Sequence, residues 1–239
     1  MRKLLYTIIC LLLICSCTEQ YNIAGNSSVT TLDGRMLYLK IVNHNDRMNS
    51  IDSCEVIHGK FNFMGLMDST VMAELYMDNE SVMPVVIENG DLTIRIDNVE
   101  QRVFGGALND KLYKFIEKKY NLENELNDLS HKELRLIMNG ESPDVVHHRL
   151  LEEAKRLNNQ IEMLEINFIT KNYDNILGPE VFMLLCSQYR YPMLEPQIQK
   201  IIDKATPRFK KHPYVREYLR VVKENSQDST HIKFVRRCP

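Results

Sequence analysis

The chain has 239 residues, 30 Lys or Arg against 32 Asp or Glu, and a formal net charge of −2. That near-neutral balance argues against non-specific nucleic-acid binding, while a 44% hydrophobic content is ample for the core of one large domain or two small ones. The six cysteines form no C-x-x-C pair of the redox or zinc type, and too few of them lie beyond the first 17 residues for a disulfide scaffold.

Arg2 and Lys3 open a short positive region, followed by the apolar run Leu4 to Ile14. The run has the length of a signal-peptide core and falls short of the roughly 20 apolar residues that span a bilayer. It ends in Leu13-Ile14-Cys15-Ser16-Cys17. Lipoprotein signal peptidase needs a small residue before its cysteine; Ser16 supplies one for Cys17, and Ile14 does not for Cys15. The expectation is a removable signal over 1–16, lipidation at Cys17 and a lipid-anchored linker over 17–20. Several acyl chains, at roughly 0.8 kcal/mol per buried methylene, hold a protein on a membrane for good. Cleavage takes the basic count from 30 to 28 against 32 acidic residues, a net charge of about −4. Cys10 and Cys15 leave with the signal, so Cys54, Cys186 and Cys238 remain as thiols, an odd number that cannot all pair internally.

From Tyr21 to about Phe104 apolar residues alternate, the period of half-buried strands. Asp33-Gly34 predicts a turn before a strand Met36 to Val42, with Leu37, Leu39 and Ile41 on one face. His58-Gly59 predicts a two-residue hairpin turn that sets Val56 opposite Phe61 and Cys54 opposite Phe63. Val71, Ala73, Leu75 and Met77 supply a further strand. Asn89-Gly90 predicts a second hairpin, pairing Ile87 with Leu92 and Val85 with Ile94. Residues 21–106 therefore read as an antiparallel β-sandwich or open barrel.

After Gly105-Gly106 the period becomes helical, giving an α-helical region over 107–224. Asn109 can cap a helix carrying Leu112, Phe115, Ile116, Leu122 and Leu126. Ser130 with Glu133 reads as a capping box for a separate short helix ending near Asn139-Gly140. Ser142-Pro143 opens the longest helix, with the stripe Val146, Leu150, Ala154, Leu157, Ile161, Leu164 and Phe168. Gly178-Pro179 starts a helix through Phe182, Leu185 and Tyr189; two more lie around Ile198 to Ala205 and Pro213 to Val222. The polar tail 225–239 is expected to be disordered. The fold class is α+β, strands first and a helical bundle after.

The order of these parts carries a resemblance. After the acylation site come Tyr21-Asn22-Ile23-Ala24-Gly25, Asp33-Gly34-Arg35, Leu37-Tyr38-Leu39 and Ile51-Asp52-Ser53. Gly59-Lys60-Phe61-Asn62-Phe63-Met64-Gly65, Val86-Ile87-Glu88-Asn89-Gly90 and Gly105-Gly106-Ala107-Leu108-Asn109-Asp110 follow, and later Lys171-Asn172-Tyr173-Asp174-Asn175-Ile176-Leu177-Gly178-Pro179 leads into Phe182. Over residues 21 to 224 this resembles the N-terminal domain of unknown function of AhpC/TSA-type thiol-disulfide oxidoreductase lipoproteins of Bacteroidota. There a thioredoxin-like domain with W-C-x-x-C usually follows. This sequence contains no tryptophan and no such cysteine pair, so the resemblance implies the non-catalytic front part and carries over no catalytic residue.

Individual residues read mostly as structure. Cys54 and Cys186 sit among apolar neighbours and behave as small hydrophobes. Cys238 follows Arg236-Arg237, whose charges favour its thiolate, and is the candidate redox thiol. Glu88 and Asp91 flank the Asn89-Gly90 turn and could oppose each other as a hard-cation pair. His148 and Glu152 are one helical turn apart without an H-E-x-x-H, and His131-Lys132-Glu133 lacks a second histidine. Gly105-Gly106 lacks the Lys-Ser/Thr of a phosphate loop and reads as a strand-to-helix joint. Arg208, Lys210, Lys211 and His212 read as a solvated corner between helices. No catalytic residue, metal ligand or cofactor is expected.

The expected function is a non-enzymatic, membrane-tethered lipoprotein, an interaction or structural module of the cell envelope. Two alternatives stand beside it: an accessory of an envelope thiol-disulfide system, and a lipoprotein binding a small ligand or glycan. Expected partners are the membrane, through the lipid, and an envelope protein such as a thioredoxin-like one, with no nucleic acid. Thr18-Glu19-Gln20 carries no charged run to direct sorting, so the outer membrane, on its periplasmic or surface face, is the expected address.

Overall fold

The computed structural model describes residues 19–42 and 48–235. Cys17 and Cys238, like the whole 1–16 signal, lie outside those residues. The described chain divides into two compact units, a strand unit through Ile41 and over Ser50–Gly106, and a helical unit from Ala107 that also takes in Val42, Met48 and Asn49.

The strand unit is a β-sandwich. Its strands are β1 (Glu19–Ser27), β2 (Met36–Val42), β3 (Met48–Glu55), β4 (Lys60–Met67), β5 (Val71–Met77), β6 (Glu80–Ile87), β7 (Gly90–Ile96) and β8 (Gln101–Phe104). One sheet has the order β4-β1-β7-β8 and the other β3-β2-β5-β6. The pairs β1–β4, β2–β5, β5–β6 and β7–β8 are antiparallel, and β1 and β7 run parallel with Ile23 beside Leu92. Alternation places Ile23, Leu37, Leu39, Phe63, Leu75, Val85, Ile87, Leu92, Ile94 and Val103 in the core, each at most 1% exposed. Gly25 is required in β1, because a Cβ there would collide with the Phe61 ring.

The first predicted hairpin keeps its turn and loses its ladder; the second, at Asn89-Gly90, does not form. His58 and Gly59 are left-handed, with φ of 51° and 72°, and Ile57 and Lys60 exchange both backbone hydrogen bonds at 2.9 and 3.0 Å. Beyond that bridge the strands part. Val56 donates to Arg35 O at 2.9 Å and accepts from Gly34 N at 2.8 Å, while Phe61 and Phe63 pair with Gly25 and Ile23 on β1. At Asn89-Gly90 the chain crosses between sheets, so β6 and β7 never pair. Val85, Ile87, Leu92 and Ile94 are all buried, but from opposite walls of the sandwich. Alternation fixes which face a side chain takes, not which strand lies next to it.

The helical unit comprises α1 (Ala107–Met138), α2 (Pro143–Lys171), α3 (Leu177–Cys186), α4 (Pro196–Asp203), α5 (Pro207–Lys211) and α6 (Pro213–Val235). Gly105 and Gly106, with φ of 80° and 86°, make the expected joint from β8 into α1. The capping box at Ser130 does not form: α1 is continuous, and the Ser130 hydroxyl donates to Asn127 O at 3.1 Å within it. No Gly or Pro falls between 107 and 138, so nothing forces a break there. Asn109 lies inside the first turn, wholly buried, instead of ahead of it. The short α5, which the apolar period did not reveal, is capped by Thr206, whose Oγ1 accepts from Phe209 N at 3.2 Å. α6 runs past Val222 into the segment expected as a disordered tail; that stretch contains no Gly or Pro before Pro239.

The core of this unit is aromatic. Phe209 and Phe182, both fully buried, meet at 5.4 Å between ring centroids, with Tyr173 4.6 Å from Phe209 and Tyr218 5.6 Å from Phe182. The Lys171–Pro179 motif builds the corner between α2 and α3. Asn172 Nδ2 donates to Phe168 O and Asn175 Nδ2 to Asn172 Oδ1, both at 2.8 Å, and Asn175 Oδ1 accepts from Leu177 N at 2.9 Å. Gly178 sits against Asn172 O, where a Cβ would not fit. Tyr173 donates its hydroxyl to Ile201 O. The motif thus has a structural task.

Candidate functional site

The α1–α2 hairpin begins and ends on two facing stripes. On α1 the residues Lys111, Lys114, Phe115 and Lys118 follow the i, i+3, i+4, i+7 spacing of one helix face; on α2, Leu164, Asn167, Phe168 and Lys171 do the same. Together with Asn172 they line a groove of about 430 Å³, within the roughly 300–1,000 Å³ span of small-molecule sites.

Its floor is apolar. The Phe115 and Phe168 rings stack with centroids 4.2 Å apart and planes 22° from parallel. Phe115 is buried, whereas Leu164 and Phe168 are only half-buried. This departs from the expected stripe of α2. Val146, Leu150 and Leu157 are buried as predicted, but the buried face then moves to Ile166 and Ile169. Leu164 stands 18 residues, five full turns, after Val146 and keeps the same helix face; burial passes to Ile166 and Ile169 on another face and leaves Leu164 and Phe168 at the groove.

Its rim is basic. Lys111, Lys114, Lys118 and Lys171 are all exposed. Among the described residues none of them has a carboxylate within ion-pair distance, although other lysines of the same helices are paired: Lys119 with Glu165 at 2.7 Å and Lys132 with Glu153 at 2.7 Å. Lys114 and Lys118 are a like-charge i, i+4 pair, which costs a helix a few tenths of a kcal/mol. Lys171 is in the last turn of α2, where the helix dipole favours a cation. Asn172 is committed to its corner, but the exposed Asn167 carboxamide has no hydrogen-bond partner. The arrangement can hold an anion over an apolar surface. Sequence reasoning read Phe115, Leu164 and Phe168 as core and missed the groove; the available signal was the recurrence of Lys111, Lys114 and Lys118 on the helix face of Phe115, although Asp110 and Glu117 lie one turn from Lys114 in the sequence.

A second hollow of about 260 Å³ shares Phe115 and contains Glu165. That carboxylate is 5% exposed and accepts from Lys119 Nζ and Gln197 Nε2, each at 2.7 Å. Both oxygens are thereby satisfied.

The residues singled out in the sequence do not converge. Asp91 accepts from Asn22 Nδ2 at 2.9 Å, and Glu88 lies against Gly106, Glu88 directly following β6 of one sheet and Asp91 lying in β7 of the other. Glu152 is bonded to Lys155 at 2.7 Å, which lowers its pKa. Glu133 meets His147 at 3.3 Å, not His131. Among the described residues no group of three or more His, Cys, Asp or Glu is gathered for a metal. Burial pushes the half-buried Cys54 thiol up to about 11 and the buried Cys186 thiol up to about 12. Both are far from the thiolate state that redox chemistry needs. Among the described residues no helix is long and apolar enough to cross a membrane.

No curated protein matches this chain. Residues 21–112, which run from β1 to the first turns of α1, match the family model of DUF4369, a domain of unknown function.

Proposed function

We propose that this chain is a non-enzymatic lipoprotein of the cell envelope, tethered through Cys17, that works by binding. The observation that carries the binding half is the lysine-rimmed groove, a shaped apolar floor under four unpaired ammonium groups. The tether is supported by the Arg2-Lys3 start, the short apolar run and Ser16 ahead of Cys17. The non-enzymatic half is supported by the two protonated thiols of the folded units. The proposal includes the finer kinship with the front part of thioredoxin-like oxidoreductase lipoproteins of Bacteroidota, supported by the order of motifs from Tyr21 to Pro179. It also includes an outer-membrane address and a thioredoxin-like envelope partner.

Intact-mass analysis and cell fractionation of the wild type and Cys17→Ser test the tether. The wild type should lose residues 1–16, gain the mass of its acyl groups on Cys17 and sediment with membranes; Cys17→Ser should not be acylated. An unmodified chain keeping its apolar leader would overturn the tether, and multiple-turnover reduction of a disulfide substrate by the purified chain would overturn the non-enzymatic reading.

A further inference from the structure

We propose that the groove between α1 and α2 binds a single-chain anionic amphiphile, a carboxylate on an apolar tail of the fatty-acid class. The inference rests on the binding reading above and names its ligand chemistry.

Three features of the groove select that class. First, four ammonium groups surround one opening on a chain whose acidic residues outnumber its basic ones, and none is neutralised by the protein. Lys114 and Lys118 repel one another along α1, so an anion between them relieves an unfavourable contact as well as making a favourable one. Second, the floor is two stacked rings and a leucine. A small hydrated anion would leave that surface wet, whereas a tail laid across it removes apolar area from water. Third, all four cations are lysines, point charges on flexible stems; the groove contains no arginine fork for planar, bidentate phosphate recognition. The volume, near the lower end of the small-molecule range, suits one tail.

The ligand's place follows from these positions. The tail lies over Phe115, Phe168 and Leu164, and the head sits among Lys111, Lys114, Lys118 and Lys171. Asn167 is free to donate to the head.

Calorimetric titration of the full mature chain carrying Cys17→Ser, which keeps it in solution, compares decanoate, decanol and inorganic phosphate. Decanoate should bind one to one, at least tenfold tighter than decanol, and should weaken severalfold in high salt; phosphate should give no saturable signal. Lys114→Gln with Lys171→Gln should bring decanoate down to the decanol level at unchanged melting temperature. Phe168→Ala should weaken both ligands. Vesicles of phosphatidylcholine with and without phosphatidylglycerol form a separate arm. Binding to the anionic vesicles with none to decanoate assigns the lysines to a membrane surface and overturns the proposal. Equal affinity for decanoate and decanol, lost together in Phe168→Ala, overturns the anionic class but keeps the groove as a binding site. No saturable binding of either ligand overturns the proposal and removes the groove's support for a binding role; the tether is judged separately by acylation.

Discussion

The Asp52 carboxylate on β3 accepts the Met64 amide of β4 at 3.2 Å, joining the edge strands of two different sheets. The same carboxylate accepts the Tyr21 hydroxyl of β1 at 3.4 Å and the Ser53 amide at 2.7 Å. An outward-facing amide on an edge strand is an invitation to foreign strands, and Asp52 occupies this one. Asp52→Ala should destabilise the sandwich by about 1–2 kcal/mol and speed hydrogen exchange at Met64. Urea unfolding and amide exchange check both; an unchanged Met64 exchange rate would show that the contact does no closing.

Glu180, in the first turn of α3, is pushed up to about 7 by burial, and among the described residues no donor reaches its carboxyl. The folded state therefore holds its proton more tightly than the unfolded chain, whose glutamate titrates near 4.5. Its contribution to stability is fully present below that value and is lost as pH rises toward 7, with nothing further lost above. The drop across that window is at most about 3 kcal/mol. Glu180→Gln should flatten it. Melting temperatures from pH 4 to 8 on both proteins decide the matter, and parallel profiles would refute it.

Lys119, Glu165 and Gln197 tie α1, α2 and α4 together through one buried carboxylate. Removing the cation strands that charge, so Lys119→Met should cost about 3 kcal/mol. The double variant Lys119→Met with Glu165→Leu takes the charge away as well and should recover most of the loss. A double variant as unstable as the single one would mean that the packing of the lysine stem, not its charge, is what matters.

Cys54 and Cys186 should resist alkylation by iodoacetamide at pH 8, because the attacking species is the thiolate. Cys186, the more deeply buried, should react only as fast as the helical unit opens and should be fully modified in denaturant. Peptide mass mapping over time reads both rates; rapid native labelling of Cys186 would contradict its burial.

The groove shows where reading by periodicity stops. Phe115 and Phe168 were legible as apolar stripe positions, and both belong to the α1–α2 packing. Their stacking, and the half-exposure of Phe168, depend on how the two helices meet and on which face of α2 the rest of the core covers. The lysines were visible in the sequence too, but being without a carboxylate partner is a property of the assembled helices. The hairpins failed for a related reason. Turn chemistry at His58-Gly59 involves only neighbouring residues and was correctly read; Asn89-Gly90 makes no hairpin turn, and the ladder partners are β1 for β4, β5 for β6, and β1 and β8 for β7.

The sequence by itself determined the α+β order, the inward faces of the strands, the joint at Gly105-Gly106 and the expected acylation motif at Cys17. Each of these depends on local pattern: a period of two, a period of 3.6, a left-handed turn, a small residue before a cysteine. Only the tertiary structure decided that β4 leaves β3 for β1, that α1 runs unbroken through Ser130, and that four lysines close around two stacked rings. Those outcomes are settled by long-range burial and by unpaired charge, which no window of neighbouring residues contains.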